Sequence, residues 1–187
     1  MFYLGFGIIV FGLYVLYDVN SVLWNQRVLH ASFFAGTILL AGATIWQTAD
    51  AVRAGFFGSH SIIWLVFAVF FLMLLIYTLF FALPFDETYI KADSGKAVVY
   101  DKGMYAICRH PGVLWLFLFY LCLGGACYPS EVLRAGMLYS LLDLLYVVLQ
   151  DIWTFPNTFE DYESYKKTTP FLIPNAKSIR RAFATRR

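Results

Sequence analysis

The sequence predicts an all-α integral membrane protein of about five transmembrane helices, folded as a single membrane domain over residues 1–187. Three observations carry this expectation. Of the 187 residues, 60% are hydrophobic and only 14% are charged, whereas a soluble domain is about half apolar and a quarter charged. The apolar residues gather into five runs of the length that suits a membrane helix. Charged or turn-forming residues close each run.

The first run covers residues 2–17 and is closed by Asp18. No basic residue precedes it, so it is expected as a retained span rather than a signal peptide. The second run, 28–49, lies between Arg27 and Asp50. His30 near its start reads as an interfacial anchor. The third, 62–85, is the most hydrophobic and has Pro84 near its end. The fourth, 111–128, follows Arg109 and His110 directly, and the fifth, 132–150, carries Arg134 and Asp143.

Five crossings put the termini on opposite sides. With the C-terminus cytoplasmic, residues 18–27, 86–110 and 151–187 lie inside. They hold every basic residue except Arg53 and Arg134, a clear positive-inside bias. The N-terminus is then outside. The basic end "KSIRRAFATRR" is expected at anionic headgroups.

Two segments on the inner side are too long for simple helix links. Residues 86–110 carry turn signals at "DSGK" and "DKG" around a strand-like "AVVY". The tail "TFEDYESYKKTTPFLIP" predicts a short helix capped by Thr158 and Asp161 and stopped by Pro170. Cys122 and Cys127 read as small core residues, with no disulfide expected. A reactive thiol stays open at Cys108, beside Arg109. No Cys, His and carboxylate set has metal-ligand spacing.

The stretch "GMYAICRHP", residues 103–111, places Arg109 and His110 at the start of the fourth span, with Pro111 in its first turn. A helix start offers free N–H groups and partial positive charge, so Arg109 completes an anion site there. The short turn at Pro129 and Ser130 makes the fourth and fifth spans an antiparallel hairpin. Counting outward from that turn, Gln150 and Asp151 stand level with Arg109 and His110. An anion pole beside a cation pole suits a zwitterionic amino-acid group. Interfacial anchoring is the competing role for Arg109 and His110.

"GMYAICRHP" followed by "EDYESYKKTTPFLIP" resembles the isoprenylcysteine carboxyl methyltransferase and phospholipid methyltransferase superfamily. The resemblance covers residues 97–174. It implies S-adenosylmethionine as cofactor, held by Val98, Val99, Tyr100, Tyr105, His110 and Pro111, with the acidic pair at Gln150 and Asp151. Arg109 belongs to the same motif and is carried as catalytic. Tyr105 and Trp153 are the aromatic residues expected against adenine or the sulfonium. Val113 and Trp115 depart from the motif's continuation, and Gln150 replaces one acid. Tyr146 stands where the isoprenylcysteine enzymes place a substrate-facing arginine.

Asp143, within the fifth span and two turns deeper than Gln150, is the candidate proton acceptor; a protonated Asp143 bonding a neighbouring helix is the competing role. With Tyr146 in place of an arginine, the expected acceptor is a neutral or cationic lipophile drawn from the membrane rather than a carboxylate. Isoprenylcysteine-like acceptors, phospholipid amines, and lipophilic thiols and phenols all stay open. So does a non-catalytic membrane protein that keeps the fold. No nucleic-acid partner is expected, and the oligomeric state is left open.

Overall fold

A computed structural model describes residues 2–82 and 97–184. The described residues are helical, apart from links and one isolated bridge between Ala97 and Phe159. Five longer helices form the bundle: α1 Phe2–Val19, α2 Ala31–Arg53, α3 Ser61–Phe80, α5 Pro111–Ala126 and α6 Val132–Leu149. Four short ones follow the sequence between and after them: α4 Met104–Ile107, α7 Phe155–Thr158, α8 Tyr162–Thr168 and α9 Ala176–Ala184. Both α1 and α6 continue into a five-residue π-turn, Asn20–Trp24 and Gln150–Thr154.

Among the described residues, three helical stretches are long and apolar enough to cross a membrane: Tyr3–Trp24, Ser61–Phe80 and Val132–Thr158. α5 is apolar but shorter. α2 has the length, 23 residues, but its polar residues set it apart from the three. Three of those residues bond tyrosines on other helices of the bundle. Thr37 bonds Tyr14 at 3.3 Å, Thr44 bonds Tyr120 at 2.7 Å, and the Gln47 amide donates to the Tyr139 hydroxyl at 3.1 Å. A polar group away from water needs such a partner. The third run was expected to reach residue 85; α3 ends at Phe80, and residues 83–96 of the expected inner loop lie outside the described residues.

Successive long helices alternate in direction. Gly36 of α2 packs on Val10 and Tyr14, while Phe33 meets Tyr17, which makes α1 and α2 antiparallel. α1 and α6 run parallel: Gly7 meets Tyr139 and Leu142, Tyr14 meets Tyr146, and Asp18 reaches Thr154. α3 lies antiparallel along α5, from Ser61 at the Ala126 carbonyl to Leu79 at Gly112. α5 and α6 form the expected hairpin. It closes tightly because Gly136 lies against Tyr120: a Cβ there would come within 2.5 Å of the Tyr120 Cβ.

The core follows from this packing. One apolar cluster joins Val10, Phe11, Tyr14, Leu116, Tyr139 and Tyr146. A second, toward the other end, holds Ala68, Cys122, Leu123, Ala126 and Cys127. All three cysteines are free and buried, so Cys122 and Cys127 are core residues as expected. Isoleucine, phenylalanine and tryptophan side chains along α3 stay exposed, as they would toward lipid.

Two local expectations need correction. "AVVY" forms no strand; Ala97 makes only the isolated bridge to Phe159. Thr158 does not cap the tail helix but ends α7, and α8 begins after Asp161 with no side-chain cap. The reason is that bridge. Phe159 is extended to meet Ala97, and the Asp161 Oδ1 accepts the Val99 N–H at 2.8 Å instead of capping its own helix. The stop at Pro170 holds, since α8 ends at Thr168.

Candidate functional site

Pro111 opens α5, where its missing N–H leaves no intrahelical bond unmade. The two residues before it are paired to the tail: the Arg109 N–H donates to the Pro170 carbonyl at 2.9 Å and the His110 N–H to the Phe171 carbonyl at 3.3 Å. The Arg109 guanidinium then joins three elements. Its Nε and Nη2 donate to the two Asp151 oxygens at 2.8 and 3.1 Å, and its Nη1 donates to the carbonyls of Lys166 and Thr169. The planar fork of arginine matches a carboxylate in this two-point way. Asp151 Oδ1 also accepts the Tyr162 hydroxyl at 2.7 Å and lies 3.3 Å from His110 Nε2. Tyr165 donates to the Tyr105 carbonyl at 2.6 Å, binding α8 to α4.

The separate anion and cation poles expected of Arg109 and Asp151 are therefore one closed cluster. Burial holds the His110 imidazole below its ordinary value, against the pull of Asp151. The ring is then neutral near pH 7, and with its proton on Nε2 it donates to Asp151. Burial likewise pushes the Cys108 thiol up to about 12, which argues against the reactive-thiol reading.

Beside this cluster lies a cavity of about 350 Å³. Its volume is in the range of small-molecule sites. Of the residues singled out in the sequence, Val99, Tyr100, Tyr105, Arg109, His110, Pro111, Asp143, Tyr146 and Gln150 line it. Two do not. Val98 is exposed, and Asp151 stands behind Arg109 and His110. Trp153 is not on the wall either. Phe155, Phe159 and Tyr162 supply aromatic surface there, because the π-turn and α7 carry the chain round to that side. The Tyr105 hydroxyl donates to the Thr78 carbonyl at 3.0 Å, which ties the wall to the end of α3.

Two polar side chains on the wall lack a partner among the described residues. Asp143 makes no hydrogen bond or ion pair there. Thr78 Oγ1 is buried with none. Both are available to a ligand, since orphaned polar groups in a cavity favour one that satisfies them.

Sequence reading missed Asp18. It is buried at the end of α1, accepts the Thr154 hydroxyl at 3.2 Å, and lies beside Tyr146 and Gln150. The Gln150 amide also donates to the Tyr146 hydroxyl at 2.9 Å. A carboxylate thus stands beside Gln150, supplied by a distant helix rather than by the acidic pair. The available signal was Asp18 closing an apolar run; its pairing with α6 had no signature.

Comparison with family models, curated proteins and solved structures finds no match.

Proposed function

We propose that this chain is an S-adenosylmethionine-dependent integral-membrane methyltransferase acting on a lipophilic acceptor from the bilayer. One observation carries the reading. The two stretches that resemble the methyltransferase superfamily lie some sixty residues apart, yet they interlock at one cavity. That cavity is lined by the residues the resemblance implies, save Val98 and Asp151.

The cavity suits such a cofactor in chemistry as well as volume. Phe155, Phe159, Tyr105 and Tyr162 present aromatic faces for an adenine ring and a sulfonium. Thr78 and Gln150 offer polar atoms, and Val99 and Tyr100 offer the wall of the inner link. Bound S-adenosylmethionine would supply an electrophilic methyl group. The chain's own task is to align the acceptor, exclude water and take up the acceptor's proton. Asp143 is the group for the last role: it lines the cavity with no partner among the described residues. Tyr146, between Asp143 and Gln150, donates a hydrogen bond but cannot neutralise an anion. The acceptor class that fits is an amine, thiol or phenol on a lipophilic body.

The five long helices are read as five spans, with the N-terminus outside and the cavity at the cytoplasmic face. Their alternating direction and the basic-residue asymmetry support this. A second reading, a non-catalytic membrane protein, is favoured by one observation: Arg109 and Asp151 satisfy each other.

The test is labelled methyl transfer by the purified protein, with phosphatidylethanolamine, a lipophilic thiol and acetyl-farnesyl-cysteine compared as acceptors. Transfer to an amine or thiol, lost in Asp143→Asn, is expected. Fast methylation of the farnesyl-cysteine carboxylate with Asp143→Asn fully active would overturn the acceptor assignment, and no transfer to any acceptor would favour the second reading.

A further inference from the structure

The last helix is built with three unlike faces. Asn175 caps α9 reciprocally with Ser178: the Ser178 N–H donates to Asn175 Oδ1 at 2.9 Å, and the Asn175 N–H to Ser178 Oγ at 3.1 Å. Ser178 and Ala182, one turn apart, are buried. They are its buried face, and α9 packs against α4, the short helix just before α5. Ile179 and Phe183, also one turn apart, form a second face, and Phe183 is 67% exposed. Lys177 and Arg180 are exposed on the remaining arc. Ile173, at the approach to the helix, is also exposed.

An exposed apolar ridge flanked by lysine and arginine is the pattern of a helix lying in a membrane interface. The position agrees. α4 stands at the end of the bundle where apolar α5 begins, which is headgroup depth if α5 enters the bilayer at Pro111. The charge sign selects anionic lipid. α9 is also joined to the cavity wall. Arg181 donates to the Thr169 hydroxyl, the Thr169 carbonyl accepts Arg109, and α4 contributes Tyr105 to the lining.

We propose that α9 is a clasp for anionic membrane: Ile179 and Phe183 insert among inner-leaflet headgroups, Lys177 and Arg180 pair with lipid phosphates, and the docked helix braces α4 and the Arg109 cluster against the cavity. The inference rests on the chain being a membrane protein and not on methyl transfer, so the two fail separately. Lipid that orders α9 also orders the tail that closes the site.

The full-length protein is compared in nanodiscs of phosphatidylcholine alone and with phosphatidylglycerol added, by hydrogen exchange at the amides of 177–184. Near a membrane surface each basic side chain contributes about 1 kcal/mol, so two give slowing on the order of tenfold or more. That slowing is expected in anionic discs, together with slower exchange at the Arg109 and His110 amides. Lys177→Glu with Arg180→Glu should remove the lipid difference, and Phe183→Ser should reduce the protection without altering the charge. Equal exchange in the two lipids, or a lipid effect that survives charge reversal, overturns the proposal. Protection that rises with protein concentration in neutral discs also overturns it, by making the occupant a second copy of the chain.

Discussion

Arg109 has at least as much structural as chemical work to do. It is one-tenth exposed and makes four hydrogen bonds to Asp151 and two tail carbonyls. Removing one partner of a buried ion pair costs about 3–5 kcal/mol, because the other charge is left uncompensated. Arg109→Ala is therefore expected to lower the thermal midpoint in detergent markedly, and a loss of cofactor binding in that variant would not by itself locate the ligand. Asp143→Asn should behave in the opposite way, with the midpoint kept and turnover lost, because Asp143 makes no hydrogen bond or ion pair among the described residues. Cys108 gives a third check. It is fully buried, with its thiol pushed up to about 12, so maleimide should label it only after denaturation. The sequence reveals Arg109, His110 and Asp151 as neighbours, because hairpin geometry sets their depth. It does not reveal that their charges cancel, since the carbonyls of Lys166 and Thr169 reach Arg109 only through the tail's return.

At the scale of elements, the apolar runs mark the long helices to within a few residues at most ends, because membrane spans are written in composition. α8 was less legible. Its start depends on the bridge from Ala97 to Phe159, a contact between segments sixty residues apart that leaves no local mark. α2 shows the reverse difficulty. Its Thr37, Thr44 and Gln47 weaken its apolar signal, yet each meets a tyrosine on another helix. The α5–α6 hairpin depends on a close approach at Gly136, where any side chain meets Tyr120. Gly136→Val is expected to destabilise the protein by about 1–3 kcal/mol, as overpacking does. Thermal unfolding would read it, and an unchanged midpoint would mean the hairpin packs more loosely than described.

At the scale of the molecule, alternating helices gather the ends of α1, α3 and α6 and the start of α5 round one cavity, and the tail closes it. Asp18 stands behind the Gln150 and Tyr146 wall of this cavity and comes from the far end of the sequence, which is why single-sequence reading passed over it: only the parallel packing of α1 on α6 brings it there. The proposed orientation, with the N-terminus outside, predicts that cysteines placed at residues 95 and 180 of intact cells stay unlabelled by an impermeant reagent. Labelling of both would invert the topology.

The central claim, that this cavity takes S-adenosylmethionine, is tested most directly by calorimetric titration of the cofactor into the wild type and Gly112→Leu. Gly112 lies on the cavity wall, and a Cβ there meets Leu79 and Leu75 at ordinary distances of 3.7 and 3.8 Å, so the backbone tolerates it while the longer side chain fills the space. Binding by the wild type, weakened at least tenfold in a folded Gly112→Leu, is the predicted result. No binding by the wild type, or equal binding by both, would contradict it.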